Sequence, residues 1–138
     1  MSAGVLLVTP YGIGSELLRA ATTMLGDCPL PAKALSIGPQ DDRDRMIAAA
    51  ESLAADLDDG EGLLVLTDLF GSTPCNIANA LSAKHRVRVL SGVNLPMLVR
   101  IFNYASLPLD ELVAKALSGA HDGVMLCSET DCEPGSER

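Results

Sequence analysis

Tryptophan is absent from this 138-residue chain, and aromatic side chains are limited to two tyrosines and two phenylalanines. The interior must therefore be built from Ala, Leu, Val and Ile, and a hydrophobic content of 48% excludes disordered and fibrous classes. No apolar run approaches the roughly 18 residues that a membrane span requires. Basic residues are scarce, 10 Lys and Arg against 18 Asp and Glu. Only Lys84, Arg86, Arg88 and Arg100 gather at all, too weak a patch for nucleic acid. The acid surplus is local. Residues 41–61 carry eight acids against two bases and residues 128–138 four against one, which reads as a solvated helix face and a polar tail. The four cysteines, Cys28, Cys75, Cys127 and Cys132, contain no C-x2-C pair, and His85 and His121 lie far from them in sequence. No metal site and no cofactor is expected. No basic stretch precedes the first apolar segment, so no secretory leader is visible. The cysteines then read as reduced, with Cys75 and Cys127 packing as small apolar groups.

What is present is an alternation of strand and helix. Val5-Leu6-Leu7-Val8 and Leu63-Leu64-Val65-Leu66 are short continuous apolar runs, as strands covered on both faces require. Residues 34–37 are a weaker strand, and residues 87–90 a fourth. Leu17, Leu18, Ala21 and Leu25 recur at helical spacing and stop at Gly26. Asp41-Asp42 caps a helix whose stripe is Met46, Ile47, Ala50, Leu53, Ala54 and Leu57. Ser72-Thr73-Pro74 starts a third helix and Asn94-Leu95-Pro96 a fourth. A fifth is expected over residues 108–118, ended by Gly119, and residues 123–127 read as a last strand. The fold class is therefore α/β: a doubly wound, mostly parallel sheet of four strands plus a C-terminal edge strand, with helices on both faces. One domain covers residues 1–127, and residues 128–138 form a frayed polar tail.

Such sheets bind ligands beyond the carboxyl ends of their strands, which directs attention to three turns. Gly12-Ile13-Gly14 permits a dinucleotide reading, but Leu17 stands at the third glycine position, and no acid follows the second strand to hold a ribose; a tight turn is the alternative. Thr67-Asp68-Leu69-Phe70-Gly71-Ser72-Thr73-Pro74 places a carboxylate at a strand end, before a glycine and a helix N-terminus. That arrangement is suited to orienting a group that accepts and releases phosphate. Asp68 can equally be a hydrogen-bonded turn residue, and Phe70 either serves a partner surface or is buried under its loop.

With Gly4-Val5-Leu6-Leu7-Val8-Thr9, the Thr67 to Pro74 segment and Ser91-Gly92-Val93-Asn94-Leu95-Pro96-Met97-Leu98 in this order, the chain resembles the enzyme IIA domain of the mannose family of the phosphoenolpyruvate-dependent sugar phosphotransferase system. The resemblance runs from Gly4 to about Cys127. It implies a cytoplasmic homodimer, peripheral to a membrane permease, that relays a phosphoryl group from the phosphocarrier HPr to a IIB domain for sugar uptake or regulation. It also implies that the last strand pairs with the partner subunit. Thr9, Tyr11, Gly71, Ser72 and Thr73 are the phosphate-binding candidates and Asp68 the supporting carboxylate.

One position departs from the family. Its acceptor histidine follows the first strand as Thr-His-Gly, and without gaps these three fall on Thr9, Pro10 and Tyr11. Pro10 has no nucleophile, and the phenol of Tyr11 is a poor acceptor whose phosphate ester would be too stable to pass on. His85 and His121, each expected before a strand and so at the amino end of the sheet, do not replace it. Three readings follow: a carrier by descent with impaired relay, a phosphotransfer-dead homologue that docks HPr or IIB, and an acyl phosphate on Asp68 that needs a divalent ion.

Overall fold

The structure, a computed structural model, describes residues 2–69 and 71–128. Its elements alternate: β1 (Gly4–Pro10), α1 (Ile13–Leu25), β2 (Ala32–Ile37), α2 (Arg43–Leu57), β3 (Leu63–Leu66), α3 (Ser72–Leu81), β4 (Val87–Leu90), α4 (Leu95–Asn103) and α5 (Leu109–Asp122). The four strands are parallel in the order β2-β1-β3-β4. Strand order reverses between β1 and β3, so the crevice at their carboxyl ends is the switch point of the fold.

Both faces of the sheet are covered, which is why the central strands are continuously apolar. Val5 and Leu7 belong to one core with Ala21, Met97, Leu98, Ile101, Leu112 and Ala116, on the side of α1, α4 and α5. Leu6 and Val8 belong to a second core with Ala50, Ala54, Leu57, Ile77 and Leu81, on the side of α2 and α3. Residues 5–8 and 63–66 are fully buried, and each Val or Leu among them stabilises the fold by about 1.5–3 kcal/mol. The helix starts follow local chemistry. Asp42 Oδ2 accepts the Arg45 N–H at 3.1 Å, and Asn94 Oδ1 accepts the Met97 N–H at 2.8 Å, each a side-chain cap.

Four expectations are corrected. α5 does not stop at Gly119 but runs to Asp122. Gly119 is a contact glycine, since a Cβ there would lie 2.5 Å from Arg100 Cβ, so its small size lets α5 lie against α4. The C-terminal edge strand over residues 123–127 is not formed among the described residues. An apolar run becomes a strand only where it pairs with an edge, and this one pairs with neither β2 nor β4, the two edges of the sheet. Here Val124 and Leu126 are 76% and 95% exposed, and Cys127 is exposed rather than packed. His121 accordingly lies in α5 rather than ahead of a strand. Phe70, Cys132 and the tail beyond Ser128 lie outside the described residues.

Candidate functional site

A cleft of about 330 Å³ opens at the switch point, lined by Val8, Thr9, Pro10, Ile37, Thr67, Asp68, Leu69, Gly71, Thr73 and Pro74. The ends of β1, β2 and β3 and the first turn of α3 thus converge on it.

Each wall is set by local chemistry. Side chains alternate along β1, and Thr9 follows Val5 and Leu7 toward α1, where its buried Oγ1 accepts the Gly14 N–H at 2.8 Å. Gly12 precedes α1 and has no side chain to cap it, so Thr9 satisfies a first-turn N–H from the preceding strand. A Cβ on Gly14 would meet Thr9 Oγ1 at 3.0 Å and Leu7 Cβ at 3.1 Å. Gly14 therefore serves the close approach of helix to strand.

Pro10 follows Leu6 and Val8 toward α2 and α3 and stands exposed at the cleft. The ladder from β1 to β3 ends at Leu7 opposite Leu66, so the missing N–H of Pro10 breaks no bond there. Tyr11 donates its N–H to the Ile37 carbonyl at 3.0 Å, and its φ of 49° is the one positive value on a non-glycine residue among those described. A side chain in this left-handed conformation costs on the order of 1 kcal/mol, which glycine avoids. Tyr11 is 62% exposed and not part of the cleft lining.

Opposite, Thr67 is fixed in the backbone, donating its N–H to Leu90 at 2.9 Å and accepting from Val93 at 3.0 Å. The Asp68 carbonyl accepts the Gly92 N–H at 3.1 Å, so the Ser91 to Pro96 turn buttresses the carboxylate's backbone. Gly71 caps α3 in extended conformation with no side-chain bond, leaving the first-turn N–H groups pointing along the helix axis toward the cleft.

Of the residues singled out in sequence, the cleft brings together Thr9, Pro10, Asp68, Gly71 and Thr73, while Ser72 is the first residue of α3. Ile37 was not anticipated; it arrives because β2 lies beside β1, which the βαβ order alone does not disclose. His85 and His121 do not line the cleft. Asp68 is its one acidic residue, and no three His, Cys, Asp or Glu side chains gather as a metal ion would need among the described residues.

Fold and cleft together define a doubly wound α/β protein with an open cleft at the β1/β3 switch point. Over residues 4–117 the chain matches EIIA-man, the PTS system fructose IIA component. It is 29% identical over 127 residues to the PTS system mannose-specific EIIAB component of Escherichia coli strain K12, a stretch that is 90% of this chain and 39% of that protein. Thus the chain spans about two-fifths of that relative's length. Component EIIA of the phosphotransferase system from Streptococcus agalactiae superimposes with a TM-score of 0.75 at 25% identity, covering 89% of this chain and 95% of that one. The mannose/sorbose specific IIA subunit from Enterococcus faecalis shares the fold with a TM-score of 0.80 at 24% identity, covering 93% and 96%. The chain belongs to the EIIA-man family of phosphotransferase-system IIA components. Among the described residues no helix is long and apolar enough to cross a membrane.

Proposed function

We propose that this chain is a IIA component that keeps the family's docking cleft and has lost phosphoryl relay at position 10. The observation that carries the reading is the pairing of a cleft holding Thr9, Asp68, Gly71 and Thr73 with a proline at its mouth. An imidazole relays phosphate because its nitrogen is nucleophilic near neutral pH and its phosphoramidate is labile. Pro10 offers no such nitrogen, and Tyr11, turned out at a positive φ, is outside the lining. Asp68 as acceptor would need an ion held by further carboxylates, and the cleft has none.

In this reading the amides of Gly71, Ser72 and Thr73 receive a phosphoryl group presented by a partner, phospho-HPr or a IIB domain, with Thr9 and Asp68 behind them. The chain then acts as a regulatory binding partner in the cytoplasm and reaches a membrane only through a permease complex. Exposed Val124 and Leu126 support a homodimer in which the apolar segment after α5 is covered by a second copy. Replacing Leu126 by Asp is expected to weaken self-association in sedimentation analysis; a mass unchanged at all concentrations would count against the dimer.

The test of function is incubation with phosphoenolpyruvate, enzyme I and HPr, followed by mapping of acid-labile phosphate. The unchanged chain is expected to carry none in the cleft while still binding HPr, and P10H together with Y11G is expected to gain it. Acid-labile phosphate on cleft residues of the unchanged chain would overturn the reading.

A further inference from the structure

An imidazole site lies at the opposite end of the sheet and does not depend on the reading of the cleft. Asp58 caps the C-terminus of α2 and His85 precedes β4. His85 Nδ1 lies 2.5 Å from Asp58 Oδ2, with the two side chains only 16% and 11% exposed. The other carboxylate oxygen, Oδ1, accepts the N–H groups of Gly60 at 2.8 Å and Gly62 at 3.0 Å. This carboxylate is therefore held by backbone on one side and presents a fixed acceptor to Nδ1 on the other.

A fixed acceptor at Nδ1 decides the tautomer. The proton resides on Nδ1, and the neutral ring carries its lone pair on Nε2. Nε2 has no hydrogen-bond partner among the described residues, and no buried side-chain nitrogen or oxygen lacks one, so Nε2 is reached by solvent. His85 lines a pocket of about 90 Å³ with Ala55, Ala80, Leu81, Glu51 and Lys84. Lys84 supplies the nearby positive charge, and Glu51 the opposing negative one. The neighbouring cation Arg86 is engaged by Asp110. His121 is the internal contrast: it is exposed on α5 with no side-chain partner among the described residues.

We propose that His85 is a phosphoryl-accepting modification site, served by small phosphoramidate-type donors. The Nε2 lone pair attacks phosphorus, the donor's P–N bond breaks, and the departing nitrogen leaves with a proton from solvent. The product is Nε2-phosphohistidine whose Nδ1–H remains bonded to Asp58, which offsets the positive charge that develops on the ring. Lys84 is the cation available to the phosphoryl oxygens.

Phosphoramidate itself is the probe, applied to the full chain near neutral pH, with labelling followed by phosphorus NMR and neutral-pH peptide mapping. His85 is expected to be labelled on Nε2 at least about fivefold faster than His121, although it is the less exposed ring. The D58N variant can still accept from Gly60 and Gly62, but its amide donates to Nδ1 and drives the ring proton to Nε2. Its His85 rate is expected to fall at least about tenfold with His121 unchanged. A merely structural pair would leave His85 the slower ring. Labelling of His121 as fast as His85 in the unaltered chain, or an unchanged His85 rate in D58N, overturns the proposal, and the first outcome needs no variant to fold.

Discussion

The two ends of the sheet invert one another. At the carboxyl end there is a carboxylate, an uncapped helix N-terminus and a cleft with Pro10 at its mouth and no imidazole among the lining residues. At the amino end a carboxylate and an imidazole are locked together beside only a small pocket. In the proposed reading, shape and reactive atom stand at opposite ends of the sheet. The family's fold therefore specifies the cleft, through the crossing order of its strands, but it does not specify that the cleft contains a nucleophile.

The largest effect on stability belongs to the amino end. Burial pushes the Asp58 carboxyl up, but the bond to His85 and those from the amides of Gly60 and Gly62 outweigh it and hold the group below the usual aspartate range. Replacing Asp58 by Ala leaves two amides and an imidazole without their acceptor and is expected to cost about 2–3 kcal/mol in urea unfolding near neutral pH. A carboxylate with a depressed folded value contributes fully above its unfolded value near 4 and loses that contribution as pH falls through the folded one. The difference between the wild-type chain and D58A should therefore close below about pH 4. A gap that persists at pH 2–3 would show that packing, not charge, holds this end.

At the carboxyl end the corresponding change is Thr9 to Val. It preserves shape but leaves the Gly14 N–H without an acceptor, for an expected loss of about 1–2 kcal/mol that is independent of pH between 5 and 8. An unchanged urea midpoint would mean that α1 does not need its cap from β1. The smallest effect is expected at Tyr11. Glycine relieves the left-handed strain but adds freedom to the unfolded chain, so Y11G should move stability by less than about 1 kcal/mol. A larger loss would give the exposed ring a packing role that its position does not indicate.

Much of this was legible in sequence, and the failures have physical causes. The apolar runs of β1 and β3 and the Thr67 to Pro74 turn read directly, because double-sided burial and a helix start leave compositional marks. Gly119 did not, because a glycine that ends a helix and one that admits a neighbouring helix look alike until Arg100 is seen against it. Val124 to Leu126 had the apolarity of a strand, but they pair with neither free edge of the sheet, β2 nor β4, among the described residues. The Asp58–His85 pair is separated by 27 residues and meets only because β3 and β4 lie side by side. At the cleft, the residues were individually visible, whereas the inclusion of Ile37 and the exclusion of the Tyr11 ring are consequences of register and of one backbone angle.

The separation of shape from reactive atom is tested most directly by phosphoryl transfer from phosphoenolpyruvate through enzyme I and HPr, read as acid-labile phosphate mapped to residues 9–11 and 67–74. The account expects no phosphate there on the natural chain and about one per chain once P10H and Y11G are introduced together. Acid-labile phosphate in those segments of the natural chain, passed on to a IIB acceptor, would contradict it.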